Sequence, residues 1–262
     1  MNKKYFFPVF ILLLSILSNQ VFAQENYEIQ IYPSETIGAG NTMVEIHSNY
    51  TFSGQPASEG VRPTRHAFHE TLELTHGFTS FFEIGLYQFT NIQNQFGFQW
   101  VGSHLRPRIS IPESYKWPVG VSFSMEIGYQ NRAYSTDTWS LEIRPVIDKN
   151  FSFVYLSFNP AFGKSLKGLT QNQPFVFEPG LKIAFHINKK IDLGAEYYGS
   201  TGPIFNMSSF QNQEHAIYAA LDLDLHPDWE FNLGAGWGLT KATDGFIVKL
   251  ILGHKSAKRR ST

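Results

Sequence analysis

Residues 229–254 decide the fold, and their sequence is WEFNLGAGWGLTKATDGFIVKLILGH. In 229–240 one set of alternate positions is apolar, from Trp229 to Leu239, and the other set is polar or small. After a polar break at 241–245, the same alternation returns in 246–254. A period of two predicts extended strands, and two strands joined by a short polar break predict a β-hairpin. A soluble sandwich would show the same pattern, so the choice between water and lipid depends on the rest of the chain.

The same alternation recurs along most of the chain. It predicts about twelve strands, at 41–52, 65–76, 80–90, 98–111, 119–130, 136–148, 151–163, 175–187, 191–199, 214–226, 229–240 and 246–254. Most of them are near the length of about 9–11 residues with which a tilted strand crosses a bilayer. No helical periodicity or change of composition interrupts them. We therefore predict one β-domain over residues 41–255.

The predicted connections alternate between short and long. Short turns are predicted at 77–79, 112–118, 149–150, 188–190 and 227–228, and longer polar links at 53–64, 91–97, 131–135, 164–174 and 200–213. This alternation is typical of an up-and-down barrel with periplasmic turns and extracellular loops, and a Greek-key sandwich has no reason to keep it. An even number of strands also places both termini on the periplasmic side.

The two faces of the predicted strands differ in charge. One face is apolar, whereas the other carries Glu45, His47, Arg65, His69, Glu73, Glu83, His104, Arg106, Arg108, Glu126, Glu142, Arg144, Glu178, Lys182, Asp192, Glu196, Asp222, Asp224, Glu230 and Lys249. So many charges do not fit the inside of a sandwich, because each unpaired one would cost several kcal/mol. Trp139, Trp229 and Trp237 fall near strand ends on the apolar face, as in an aromatic girdle. The sequence therefore favours an all-β, up-and-down antiparallel transmembrane barrel, with the charges lining its lumen.

The start of the chain predicts export. Lys3 and Lys4 precede a short apolar run, and small residues at 21–23 fit a signal-peptidase site, so we predict a cleaved signal peptide over 1–23. Residues 24–40 form a lead before the first strand, and could enter the lumen as a partial plug. The chain has no cysteine, which excludes disulfides, thiolate metal sites and a lipoprotein anchor. Its net charge of -1 gives no indication of a nucleic-acid partner.

Prolines interrupt several predicted strands, and two of them stand in similar contexts, Arg106-Pro107-Arg108 and Arg144-Pro145. Paired β-bulges would accommodate them. Alternatively, the bends could direct the arginines to a constriction in the lumen. We predict that the narrowest charged zone consists of Arg106, Arg108, Arg144, Glu83, Glu126 and Glu142. Fixed charges there would set ion preference, unless each arginine is neutralised by a neighbouring glutamate in a structural ladder.

Catalytic and metal motifs are weak. His254 and Ser256 have the spacing found in some outer-membrane lipid hydrolases, but they follow the last predicted strand, and no third group is evident. Asp222 and Asp224 share a face, which is more typical of a solvated wall than of acid–base catalysis. His66 and His69 are the closest histidine pair, yet they face opposite sides of their strand. We therefore predict no catalytic, cofactor-binding or metal-binding residues.

Three segments carry a resemblance to a known family. Residues 177–182 (FEPGLK), 194–199 (GAEYYG) and 230–254 resemble a family of outer-membrane β-barrel porins that is grouped with proteins named for a phenol-degradation pathway. The resemblance implies a barrel of about this strand number, passage of small solutes, outer-membrane lipid around it and the barrel-assembly machinery as a partner. Barrels of this kind usually end on an aromatic residue, whereas here Ser256 begins a basic tail over 256–262.

Three functions are compatible with this pattern. The first is a porin-like channel or transporter for small solutes in the bacterial outer membrane. The second is an outer-membrane lipid-modifying enzyme, and the third is a structural or binding barrel with a plugged lumen. Side chains fill barrels of about eight strands, whereas barrels of about sixteen hold an open channel. A barrel of about twelve strands allows a narrow pore without requiring one.

Overall fold

The computed structural model describes residues 26–256 and shows a closed antiparallel β-barrel. Its strands are β1 (Thr42–Ser53), β2 (Ala67–Gly77), β3 (Phe82–Gln93), β4 (Gly97–Ser110), β5 (Gly120–Gln130), β6 (Asp137–Asn150), β7 (Val154–Gly168), β8 (Val176–Asn188), β9 (Ile191–Ser200), β10 (Glu214–Leu223), β11 (Trp229–Gly238) and β12 (Phe246–Ser256). Each strand pairs with the next one along the chain, and β1 closes the barrel against β12. The prediction of a twelve-stranded up-and-down barrel is confirmed.

The apolar positions of the alternating sequence lie on the outside of the barrel, and the polar positions lie on its inside. On β2, Leu72 is 50% exposed, whereas the next residue, Glu73, is fully buried. The exposed large side chains point outward around the barrel, where hydrocarbon is the environment they fit. Trp139, Trp229 and Trp237 are exposed near strand ends, as predicted for an aromatic girdle. The exterior is therefore that of a membrane-spanning barrel.

The two ends of the barrel differ in their connections. We name them the turn end, where β1 begins and β12 ends, and the loop end. The loop end carries two long loops, residues 54–66 and 201–213, but β3 and β4 are joined there by only residues 94–96. The predicted long link at 91–97 is thus wrong, because both strands extend into it. The longest connection at the turn end is residues 111–119, which contains the short 3-10 turn Glu113–Tyr115.

The prolines do not create bulges. Pro107 pairs with Ile84 and Pro145 with Phe123, and Pro160 stands opposite Pro179. The register shifts lie elsewhere, near Thr51, Phe89, Trp139 and Asn188. The prediction of proline bulges is wrong. The ladder is interrupted beside Pro107, but the register is the same on both sides of the gap, at Leu105↔Ile127 and at Arg108↔Ser124.

Residues 26–41, which we call the N-terminal segment, run through the lumen. Asn26 Nδ2 donates to Asp244 Oδ2 at the loop end (2.5 Å), and Gly40 N donates to Gly77 O at the turn end (2.7 Å). The start of β1 and the end of β12 do lie at one end, as predicted. The chain before β1, however, runs through the barrel, so Asn26 lies at the loop end. The predicted mature N-terminus near residue 24 lies outside the described residues.

Some predicted regions lie beyond the described residues. The signal peptide at 1–23, the first residues of the lead and the tail from 257 onward are outside them, while Ser256 is the last residue of β12. No helix within residues 26–256 is long and apolar enough to cross a membrane.

Candidate functional site

Two cavities lie along the N-terminal segment. The loop-end cavity has a volume of about 460 Å³, and residues of the 54–66 loop line its mouth. The turn-end cavity has a volume of about 250 Å³ and is lined by Pro227 and Asp228 of the β10–β11 turn. Gln30 lines both cavities. The two cavities, which we call chambers, thus extend from opposite ends of the barrel and share Gln30 in their linings.

The N-terminal segment is held mainly through its backbone. It forms no strand, so its amide and carbonyl groups need partners from the wall. Asn159 Oδ1 accepts from Tyr32 N (2.8 Å), and Thr71 Oγ1 donates to Tyr27 O (2.5 Å). Asp148 Oδ2 accepts from Ser34 N (2.8 Å). Polar wall side chains thus replace the hydrogen bonds that a neighbouring strand would supply.

Two arginines of β4 form an ion-pair network with β2 and β3. Arg106 Nη2 lies 2.6 Å from Glu73 Oε1, and Arg108 Nη2 lies 2.7 Å from Glu83 Oε1. Arg106 reaches β2 by passing over Gly85 of β3, where a Cβ would lie 3.1 Å from Arg106 Nη2. All four charged side chains are buried, so each charge depends on its partner for compensation.

The same arginines bind the N-terminal segment. Arg108 donates to Pro33 O (3.0 Å) and to Glu35 O (2.6 Å). The ring of Tyr32 lies against two guanidinium groups, with its centroid 4.7 Å from Cζ of both Arg106 and Arg144. Cation–π contacts of this kind stabilise most strongly where water is excluded. We call Arg106, Arg108, Arg144 and their glutamates the arginine cluster.

Arg144 on β6 completes the arginine cluster. Its Nε and Nη2 contact the two oxygens of Glu142 at 2.7 and 2.8 Å, which is the bidentate geometry of a strong pair. Its Nη1 lies 3.8 Å from Glu28 Oε1 on the N-terminal segment. This end of the arginine cluster is less buried, since the side chain of Glu142 is 24% exposed.

The six residues predicted to form the charged zone are divided between the linings of the two cavities. Arg144, Glu142 and Glu126 line the loop-end cavity, whereas Arg106, Arg108 and Glu83 line the turn-end cavity. The flanking pairs Leu105↔Ile127 and Arg108↔Ser124 put Glu126 level with Arg106 on the neighbouring strand, but its carboxylate contacts His104 Nδ1. The structure therefore brings five of the six into arginine–glutamate pairs, and Glu126 pairs with a histidine.

The opposite wall carries a smaller group of charges, which we call the lysine cluster. Lys182 on β8 lies 3.2 Å from Glu196 Oε1 and 2.8 Å from Asp222 Oδ2. Lys249 on β12 is fully buried, pairs with Glu196 and donates to Ile29 O (3.0 Å). A second charged wall therefore also holds the N-terminal segment.

The mouth at the loop end is partly covered. The 54–66 loop reaches across to the β5–β6 loop, where Arg62 N donates to Ala133 O (2.8 Å), and the Arg62 guanidinium stacks on Phe96 and Tyr134. Asp244 in the β11–β12 loop holds Asn26 and accepts from Thr64 Oγ1 (2.6 Å). Burial raises the pKa of the Asp244 carboxyl, and these hydrogen bonds oppose the rise.

Sequence reasoning missed several residues of this site. The sequence predicts Glu73 on the inward face, but its partner Arg106 lies two strands away. Tyr32 and Glu28 belong to the lead, whose path the sequence left open. The His254 and Ser256 side chains are both exposed, and the His254 ring packs on Trp229, 4.7 Å between centroids. This pair is therefore not part of the lumen.

Comparison with solved structures identifies the fold. An outer membrane channel from Pseudomonas putida F1 superposes with a TM-score of 0.60 at 11% identity, covering 87% of this chain and 100% of that one. The NanC porin gives 0.53 at 10% identity (82% and 99% covered), and the KdgM porin 0.52 at 8% (81% and 98%). No protein-family model and no curated protein sequence matches the chain. At these identities the similarity shows a shared fold, that of bacterial outer-membrane barrels.

Proposed function

We propose that this protein is a bacterial outer-membrane channel for small solutes, and that its own N-terminal segment narrows the pore. The observation that carries the proposal is the pair of cavities that enter from opposite ends and share Gln30 in their linings. The proposed path joins these two cavities beside the segment and runs between the charged walls. Because the N-terminal segment narrows the lumen, the pore is expected to conduct weakly. Because the charges on both walls are largely paired, it is expected to pass small polar solutes without a strong preference for cations or anions.

The finer identity follows from the sequence. We infer kinship with the porin family grouped with phenol-pathway proteins from the segments at 177–182, 194–199 and 230–254. We also infer that the barrel-assembly machinery inserts the chain. The last residue of β12, Ser256, is not aromatic, so recognition would depend on other features of the last strands.

Planar-bilayer recording tests the channel. The full-length protein is expected to give small single-channel currents, and deletion of residues 26–35 is expected to increase them several-fold because both chambers then become one. Absence of current from both proteins, each shown to be folded, would overturn the proposal and favour a plugged structural or binding barrel.

A reversible cross-link provides a matched control. A Cβ on Gly120 would lie 2.1 Å from Ser34 Oγ and equally close to Asp148 Oδ1, so cysteines at positions 34 and 120 of this cysteine-free chain are within reach of a disulfide once the Asp148 side chain shifts. If solutes pass beside the N-terminal segment, the oxidised Ser34→Cys/Gly120→Cys protein should conduct like the reduced one. Current only after reduction would show that the segment has to leave the lumen instead.

Labelling of single cysteines tests the orientation. Asn206 in the β9–β10 loop and Lys189 in the β8–β9 turn are both exposed. On intact cells an impermeant maleimide should label Asn206→Cys and leave Lys189→Cys unlabelled, because we place the loop end outside the cell. The reverse pattern would contradict that orientation.

A further inference from the structure

Three metal-ligand side chains meet on the lumen wall near the barrel seam. Glu45 and His47 lie on β1, and Glu73 lies on β2 directly opposite Glu45 in the register. One donor atom from each of the three lies within 4.8 Å of the other two. All three side chains are buried, with His47 and Glu73 at 0% exposure. Of the three, only Glu45 lines a cavity of the proposed pore, namely the turn-end cavity.

His47 provides an independent observation at this place. Neither of its ring nitrogens has a hydrogen-bond partner, although both are buried. Its Nε2 lies 3.6 Å from Glu73 Oε2, too far for a hydrogen bond, and that oxygen also has no hydrogen-bond partner. The other oxygen of Glu73 already accepts from Arg106 and Thr75. Buried polar atoms left unpaired are costly, so a ligand that accepts lone pairs from these atoms would be favoured.

We propose that Glu45, His47 and Glu73 bind a divalent transition-metal ion, for which Zn²⁺ is the best match. One imidazole nitrogen and two carboxylate oxygens form a mixed donor set that suits zinc, and the fourth tetrahedral position is left for water. Mg²⁺ and Ca²⁺ prefer oxygen ligands alone. Two carboxylates facing each other across neighbouring strands repel, and a divalent cation between them removes that repulsion.

The turn-end cavity gives the ion a way in. Glu45 lines that cavity, and so does Glu230 from β11, which adds a second carboxylate to the entrance. The site then ties β1 to β2, next to the seam where β1 meets β12. Sequence reasoning predicted no metal ligands, because His47 and Glu73 are far apart in the chain and only the strand register brings them together. This inference stands whether or not the barrel conducts.

Titration with Zn²⁺ tests the site in the purified full-length barrel. We expect saturable binding of one ion per chain by calorimetry, and a higher melting temperature with zinc than with magnesium. Loss of a side chain that only supports a metal ligand typically weakens metal binding about 10- to 100-fold. Loss of a ligand itself should weaken it more, so we expect His47→Gln and Glu45→Gln each to bind Zn²⁺ at least about 100-fold more weakly than the wild type. Glu45→Gln removes a repulsion and should fold, which heat-dependent gel mobility would verify.

His69→Gln is the matched control. His69 is also a buried lumen histidine, but its ring packs edge-on against Tyr27 at 4.9 Å, and it is not one of the three side chains whose donor atoms meet. Its replacement should leave zinc affinity unchanged. With Co²⁺, the wild type and His69→Gln should show the visible absorption of a four-coordinate ion, and His47→Gln should lack it. Absence of zinc binding to the wild type, or equal affinity in the folded Glu45→Gln protein, would overturn the proposal.

Discussion

The arginine cluster and the lysine cluster both hold the N-terminal segment, but they do so with different contacts. Arg108 binds Glu83 and at the same time donates to two backbone carbonyls, of Pro33 and Glu35. Lys249 binds Glu196 and donates to one carbonyl, that of Ile29. A planar guanidinium presents five donors in fixed directions, whereas an ammonium is a compact point charge. The comparison indicates that the segment is anchored more firmly at Tyr32–Glu35 than at Ile29.

The largest expected effect is that of Arg106→Ser/Arg108→Ser. Removing one partner of a buried ion pair costs about 3–5 kcal/mol, because the other charge stays buried. We expect the free energy of unfolding in urea to fall by at least that amount, since Glu73 and Glu83 both lose their main partner. The reversal potential should shift toward cation preference, because the glutamates remain in the lumen.

The double lysine variant separates the two roles of these arginines. Arg106→Lys/Arg108→Lys keeps the positive charges but not the fork geometry, so ion preference should stay near that of the wild type while stability falls. Unchanged stability in the serine variant would contradict the paired network that distinguishes the arginine cluster.

Substitutions at neighbouring positions of β8 test which face of the strand contacts lipid and which face carries the lysine cluster. Leu181 is 45% exposed and points outward, whereas the side chain of the adjacent Lys182 is only 11% exposed. Leu181→Arg, and likewise Leu221→Arg on β10, should destabilise by about 2–4 kcal/mol near the bilayer midplane. Lys182→Leu should cost less, because Glu196 keeps Lys249. Equal tolerance at positions 181 and 182, measured by unfolding in vesicles, would show that the faces are wrongly assigned.

Lys249→Met tests how much a single buried ammonium contributes. Glu196 would keep Lys182 as a partner, so the expected loss is about 1–3 kcal/mol, near that of a lost hydrogen bond to a charged group. The loss should therefore be smaller than for the arginine pair when both variants are unfolded under the same conditions. A loss as large as that of the arginine variant would remove the distinction between the two clusters.

Tyr32→Ala is expected to have the smallest effect on stability and a visible one on current. Cation–π contacts with the arginines account for about 0.5–2 kcal/mol. Without the ring, the turn-end half of the N-terminal segment should loosen, and single-channel current should rise. Tyr32→Phe keeps the ring and loses the hydroxyl contacts to Glu28 and Tyr87, so its current should stay close to that of the wild type.

Much of the wall could be predicted from the sequence, because side-chain parity depends on local alternation. The predicted strand at 246–254 is β12 within two residues, and the inward positions of Arg106, Arg108 and Arg144 follow from parity alone. The strand predicted at 151–163 is instead Val154–Gly168, since its polar end continues the pairing with β6. Polar residues that face the water-filled end of the barrel lack the apolar–polar alternation from which a strand is predicted.

The pairing inside the lumen could not be predicted in the same way. Arg106 contacts Glu73 across Gly85, which depends on the height of three strands and on a missing side chain between them. The path of the N-terminal segment depends on single hydrogen bonds from many strands rather than on any periodic pattern. The alternation predicts on which face of its strand a residue lies, but its contacts inside the lumen are known only from the closed barrel.

The contacts of the N-terminal segment also lead to an expectation about the order of folding. Asn26 contacts Asp244, which is 218 positions away, and Lys249 donates to Ile29 across 220 positions. Contacts this distant in the chain form late, because the whole intervening polypeptide must first be ordered. Neighbouring hairpins can form early, whereas the seam and the lumen contacts need both ends of the chain. We therefore expect a nascent barrel to pass through a stage with a water-filled interior before the N-terminal segment settles inside it.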